Sequence, residues 1–379
     1  MPAAAHPRRA RARRSGIAMI GKAAPKDSSP KPGDKGALDR HPLVKACRRE
    51  PVSYTPVWLM RQAGRYMPEY RELRARAGFL EMCSRPELAA EITTGAVRRL
   101  GVDGAIVFAD ILLPLLPLGV GLAYDAQGGP VIERPVRSAA DFDRLGPVVV
   151  EEALGFVAEA IRLSRRALGA ATPVIGFAGA PFTLASYLIE GRGSQGFRLT
   201  KTLAYSQEEL WQRLMAMLAE TTADYLNMQA AAGASVLQLF DSWAGALSPE
   251  DYRRLAMPYT AAVIRRLRFG VPVIHFATGA AGLLELMREA GGDVIGLDWR
   301  VDLAEAWQRL GSGVAVQGNL DPVVLLADLP EIRRQAALIL RKAAGRWGHV
   351  FNLGHGVLPE TPVDHVRALV DAVHEMSAR

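Results

Sequence analysis

Cysteine is scarce in this chain: Cys47 and Cys83 are the only two. That number excludes a disulfide framework and a four-cysteine zinc site. Neither residue belongs to a Cys-x-x-Cys pair, so a reducing compartment, the cytoplasm, is the simplest expectation. No apolar run reaches the ~20 residues of a membrane-spanning helix. The segment Ile106 to Val120 is apolar but is interrupted by Asp110, Pro114 and Pro117. No Gly-x-Gly-x-x-Gly loop follows the first apolar run, which removes the usual cradle for a dinucleotide. No cysteine follows Cys83, and His275-Phe276-Ala277 offers no His-x-Cys pair for zinc-thiolate chemistry. These absences together predict a protein that works without metal, flavin or nicotinamide.

The body of the chain also lacks net charge. The total is +7, but residues 1–42 carry ten Lys or Arg against three Asp or Glu, and the remainder carries 36 of each sign. The basic character therefore belongs to the tail, and a nucleic-acid function for the whole protein loses its support. Residues 1–40 are rich in Ala, Arg, Lys, Pro and Ser and show no hydrophobic period, so they read as a disordered basic extension. Arg8, Arg9, Arg11, Arg13 and Arg14 precede the first acid, Asp27, in the manner of an organelle transit peptide. Serine is sparse before Ser28, however, and the Ala/Arg style suits a high-GC bacterial gene, with Met19 a second candidate start.

The 379-residue chain is 49% hydrophobic and 22% charged, which leaves residues 41–379 ample apolar content for one large core. Eight short apolar runs read as strands: Val57–Met60, Ala105–Phe108, Val174–Phe177, Ser235–Phe240, Val271–Phe276, Val294–Leu297, Gly313–Gln317 and His349–Leu353. Helical patterns alternate with them. Ser84-Arg85-Pro86-Glu87 reads as a capping box opening a helix that ends near Gly101. Glu151–Leu168 ends at Gly169, and Gln207–Ala232 ends at Gly233. Ser248-Pro249-Glu250-Asp251 opens a helix ending near Gly270, and Ala281–Ala290, Leu303–Leu310, Leu329–Ala344 and Pro362–Ser377 complete the series. Eight β/α alternations predict a single (β/α)8 TIM barrel of ~250 residues plus insertions. The main insertion follows the second strand: Gly121–Val136 reads as a hairpin over the barrel mouth, turning at Gln127-Gly128-Gly129-Pro130. A doubly wound open sheet is the alternative, and it wants the glycine loop that is missing.

Barrel active sites form where strands end at the C-terminal face. There the chain presents Arg61, Gln62, Ala63, Gly64 and Arg65, then Asp110, then Gly179–Thr183 and Tyr187. Asp241-Ser242-Trp243, His275, Thr278 and Asp298 follow, then Gln317–Pro322 and Asn352-Leu353-Gly354-His355-Gly356. Two guanidiniums at a strand mouth form a fork-shaped carboxylate receptor. Each residue has a plainer role available. Asp241 or Ser242 suits a helix cap, Asn319 and Asp321 suit a turn, His275 suits a hydrogen-bonded core, and Tyr187 suits simple ring packing. Their joint occurrence at nearly every strand end is what favours a site.

The block Trp58 to Tyr70, together with Phe108-Ala109-Asp110-Ile111-Leu112, Gly179–Thr183, the Ser242 region, Gln317–Pro322 and Phe351–Gly356, resembles the uroporphyrinogen decarboxylase family from about His41 to the C-terminus. That resemblance implies removal of four acetate carboxyls from a tetrapyrrole, giving coproporphyrinogen III from uroporphyrinogen III, by a cofactor-free homodimer that binds neither nucleic acid nor membrane. It implies that Arg61–Arg65, Asp110, Tyr187, Ser242 and His355 line the substrate pocket, with Asp110 and Arg61 closest to the chemistry. Competing readings are a zinc-independent tetrapyrrole-binding barrel, an RNA-binding barrel served by the tail, and a barrel like the corrinoid methyltransferases.

Overall fold

In a computed structural model, the structure describes residues 32–125, 128–194 and 196–379. Most of the expected tail lies outside those residues. Its last stretch does not read as predicted, because Pro32–Asp39 is helical and Leu38 is buried.

The strands, in chain order, begin with β1 (Ala105–Ile106) and a hairpin of β2 (Leu122–Tyr124) and β3 (Pro130–Ile132). Then come β4 (Val174–Gly179), β5 (Val236–Phe240), β6 (Val273–Phe276), β7 (Val294–Gly296), β8 (Ala315–Gln317) and β9 (His349–Val350). β1 and β4 to β9 form one curled parallel sheet in chain order, and β2 pairs antiparallel with β3. A parallel neighbour requires a crossover, and helices supply it on the outer face. The helix Val150–Leu168 buries Leu154, Val157 and Ile161 and ends at Gly169, whose φ of 58° no larger residue takes readily.

The first expected strand, Val57–Met60, is reduced to a single parallel bridge between Val57 and Phe351. Its backbone donors explain why. Trp58 N donates to Phe351 O (3.3 Å), as a strand would. Val57 N donates to Asp103 Oδ2 (2.7 Å), Leu59 N to Gln62 Oε1 (3.2 Å) and Met60 N to Asn352 Oδ1 (3.2 Å). Side chains thus replace most of a ladder, and buried donors stay satisfied without regular strand geometry. The segment still closes the ring: Phe351 N donates to Pro56 O (2.8 Å) on one side and Asp103 N to Val57 O (2.8 Å) on the other. Inside the barrel, Trp58 Nε1 donates to Gln317 Oε1 (2.9 Å), and Gln317 Nε2 donates to Gln238 Oε1 (3.0 Å).

Two helix boundaries depart from expectation. Ser84 is the last residue of a helix Phe79–Ser84, and its hydroxyl bonds Glu81 O, so it does not cap the next one. Pro86 opens that helix, because a missing N–H costs nothing in a first turn. The helix expected to run from Ser248 to Gly270 is broken by a wide turn at Tyr252–Ala256 and ends at Arg265. Ser248 does cap its start, accepting from Asp251 N (3.1 Å).

Candidate active site

The site grows out of the turn after Met60. Arg61 sits at φ 60°. A non-glycine residue holds that left-handed conformation at a cost of about 1–3 kcal/mol, and only where its surroundings over-determine it. Val357 N donates to Met60 O (2.9 Å), and Gln62 N donates to Leu59 O (3.0 Å), so the turn is clamped from both ends. The Arg61 stem crosses Gly356, where an added Cβ would lie 2.7 Å from Arg61 Cγ. The first and last motifs of the chain are thereby one contact: Gly356 is small so that Arg61 can pass. Gly128 of the hairpin does the same for Arg65, since a Cβ there would lie 2.7 Å from Arg65 Nη2.

These residues open onto a cavity of about 580 Å³, within the ~300–1,000 Å³ range of small-molecule sites. Arg61, Ala63, Gly64, Arg65, Asp110, Tyr187, Ser242 and His355 all line it. Gln62 does not. It is fully buried, its Oε1 accepts from Leu59 N and its Nε2 donates to Gly104 O (3.0 Å), so it braces the turn instead of facing a ligand. His275 and Asp241 are likewise fully buried and turned to each other at 3.7 Å, and Asp321 caps a short helix through Val323 N (2.9 Å).

The floor of the cavity is aromatic. Phe108, Phe177, Phe240 and Phe276 line it, with Phe177 edge-on to Phe240 (5.6 Å) and Phe240 edge-on to Phe276 (5.8 Å). Above this floor Asp110 accepts from Leu112 N (2.8 Å). Loss of water around it pushes the carboxyl pKa up, while the Leu112 hydrogen bond, Tyr124 and Arg61 pull it back. Tyr187 is pushed up to about 12, first by burial and then by Asp110. His355 is pulled down to about 4, first by burial and then by the Arg61 and Arg300 charges. Its imidazole is therefore neutral at neutral pH, able to donate from one nitrogen and accept at the other. Its ring stands edge-on to Trp299 (6.3 Å), which carries the Arg300 guanidinium on its face at 3.8 Å. Arg300 in turn pairs with the buried Asp298 at 2.8 Å. Among the described residues, the cavity thus joins a single carboxylate, an apolar floor and arginines.

The family model described as uroporphyrinogen decarboxylase (URO-D) matches residues 38–376. The chain belongs to the uroporphyrinogen decarboxylase family. A relative so named from Carboxydothermus hydrogenoformans is 54% identical over 337 residues, covering 89% of this chain and 96% of its own. Another from Sorangium cellulosum is 54% identical over 335 residues, covering 88% and 96%. Among solved structures, a methyltransferase from Methanosarcina mazei superposes with a TM-score of 0.73 at 20% identity, covering 89% of this chain and 98% of its own. A putative vitamin-B12-independent methionine synthase from Listeria monocytogenes gives 0.55 at 13%, covering 87% and 99%. At such identities these two speak for the fold alone.

Sequence reasoning missed three contributors to this decarboxylase-family cavity. Arg74 and Tyr124 line it, as does the phenylalanine floor. A signal for the floor was present: the second to fifth apolar runs each end in Phe, at 108, 177, 240 and 276. Strand ends at one barrel face converge, so a repeated terminal aromatic predicts an aromatic layer there. Tyr124 carried no such mark, because a tyrosine in a hairpin reads as an ordinary strand residue.

Proposed function

We infer that this cavity decarboxylates uroporphyrinogen III, converting its four acetate arms to methyls and yielding coproporphyrinogen III and four CO2. The observation that carries the reading is the carboxylate of Asp110 over an aromatic floor, faced by Arg61. Each arm needs an electron sink, and the substrate supplies one itself. Protonation of a pyrrole carbon makes the ring a cationic iminium. The C–C bond to the carboxylate breaks, CO2 leaves, and its electron pair neutralises the iminium as an exocyclic methylene. A second proton converts that methylene to methyl, and loss of the ring proton restores the pyrrole. The balance per arm is one carboxylate and one proton giving one methyl and one CO2.

The cation formed along this path lies in a site stripped of water, where a fixed charge acts most strongly. Asp110 is suited to oppose it and to accept from pyrrole N–H groups. Arg61 and Arg65 are suited to grip carboxylates with planar forks. Tyr187, Ser242 and neutral His355 offer further hydrogen bonds to the arms. Arginine is too weak an acid to be the proton source, so an ordered water or the substrate's own acid supplies it. A homodimer in the cytoplasm belongs to the same reading, and sedimentation of the purified protein checks the dimer. Among the described residues, no helix is long and apolar enough to cross a membrane.

The test is incubation of the purified protein with uroporphyrinogen under anaerobic conditions, with chromatography of the oxidised products. Stepwise loss of four carboxyls is expected. Unchanged substrate would overturn the reading.

A further inference from the structure

Tyr124 lines the cavity but has no part in the reaction as set out above. It ends β2 of the hairpin, and its ring is held edge-on by Phe79 at 4.7 Å. Its hydroxyl is buried and, among the described residues, makes no hydrogen bond of ordinary geometry. A buried hydroxyl left so is destabilising, which calls for an explanation of why the structure keeps it. Tyr124 and Asp110 line the same cavity, and each is felt in the other's proton affinity. Asp110 accepts from Leu112 N through Oδ1, which leaves the carboxylate capacity for more donors.

We propose that Tyr124 is a positioning residue: the hairpin delivers its hydroxyl to Asp110, and the phenol O–H donates to that carboxylate to fix its orientation toward the cavity. The proposal rests on the reading that Asp110 works as an anion opposite a cationic intermediate. An anion in an apolar hollow needs donors that stay put, since water there is sparse and mobile. Leu112 N supplies one from the strand end. Tyr124 supplies a second from a different element, the β2–β3 hairpin.

The groups facing Asp110 are identifiable element by element. Arg61 comes from the turn after Met60, Tyr124 from β2, and Tyr187 from the helix Pro181–Glu190. Cys83, from the helix Phe79–Ser84, and Tyr225, from the helix Glu208–Ala231, feel its charge from behind. Arg61 is the cation of this set. Tyr187, Cys83 and Tyr225 hold their protons at neutral pH, because burial and Asp110 push each of them up. A hydrogen bond to the ionised form lowers a carboxyl pKa. Removing the Tyr124 hydroxyl while keeping its ring therefore raises that of Asp110.

Tyr124→Phe keeps the ring and its packing against Phe79. Two readouts separate the possible failures. The first needs no substrate: carboxyl-carbon NMR of protein labelled at aspartate, with the Asp110 signal assigned by its loss in Asp110→Asn. Titration of Asp110 is expected to move up by on the order of half to one pH unit in Tyr124→Phe, the size of one net hydrogen bond. The second is the pH profile of uroporphyrinogen turnover, whose acid limb is expected to move up by the same amount. An Asp110 titration that is unchanged or lower in Tyr124→Phe overturns the proposal. A raised KM with an unmoved titration also overturns it, because the hydroxyl would then contact the substrate directly. If the NMR shift is found but wild-type protein leaves uroporphyrinogen untouched, the positioning stands and the functional reading falls.

Discussion

Two aspartates lie seven positions apart on either side of β1, and they lead opposite lives. Asp103 stands before the strand. Its Oδ1 accepts from Tyr54 Oη (2.8 Å), and its Oδ2 accepts from Val57 N (2.7 Å) and meets His374 Nε2 (2.7 Å). Tyr54 and His374 also touch edge-on, with ring centroids 4.9 Å apart. This carboxylate is enclosed by donors from the first segment and the last helix, and it closes the ring where no regular ladder does. Asp110 stands after the strand and keeps one backbone donor at the edge of a cavity. Asp103 is committed to the fold, whereas Asp110 is held at a cost and left available. The same residue type is locked into the fold or opened onto a cavity according to which end of a barrel strand delivers it.

The comparison breaks most visibly at Asp103. Asp103→Ala removes the acceptor of three donors and leaves a buried backbone N–H unpaired, which predicts a loss of about 3–5 kcal/mol. Urea unfolding monitored by circular dichroism measures it. Turnover per folded molecule should stay near wild type, because Asp103 lies at the opposite end of β1 from the cavity. A large fall in turnover with an unchanged unfolding midpoint would erase the contrast.

Arg61 comes next. Its guanidinium lines the cavity while its stem fills the space left by Gly356. Arg61→Lys keeps the charge but replaces a planar fork with a point donor. Loss of about 1.5–3 kcal/mol of transition-state binding is expected, read as kcat/KM, with stability little changed. Full activity would show that the fork is unnecessary.

The smallest effect concerns pH and His374. The hydrogen bond to Asp103 raises the His374 pKa above its ordinary 6.5. A pKa raised on folding means that the folded state binds the proton more tightly. The stabilisation is therefore complete below about pH 6.5 and fades as pH rises through the elevated value. The difference in thermal midpoint between wild type and His374→Asn should shrink as pH rises above that window. A difference that grows with pH would reverse the assignment.

How much of this was legible beforehand depended on whether a backbone pattern or a side chain decided the outcome. Seven of the eight apolar runs became strands because burial on both faces of a parallel sheet leaves a near-continuous hydrophobic signature. The run at Val57 did not, because side chains take its amides, Gln62 from three residues beyond Leu59 and Asp103 and Asn352 from distant parts of the chain. No local window contains those two distant partners. Helix ends at Gly101 and Gly169 were legible, since the positive φ they need marks them in the sequence. Arg61, Asp110, Tyr187, Ser242 and His355 were found from their places at strand ends and do converge on one cavity. Gln62 was misplaced because spacing cannot say which way a side chain turns out of a left-handed turn. Tyr124 was missed although the hairpin was expected over the mouth, because alternation in so short a strand does not mark which side chain turns into the cavity.

The central claim is that the charge of Asp110, and not its shape, serves the reaction. Asp110→Asn keeps the size and part of the hydrogen bonding while removing the charge. The decisive measurement is anaerobic uroporphyrinogen turnover by this variant and by wild type, each shown to be folded by circular dichroism. The account predicts a fall of about 10²–10³ in rate, the usual effect of deleting one electrostatic stabiliser, with Asp110→Glu retaining more activity. Turnover by Asp110→Asn within a few-fold of wild type would contradict it.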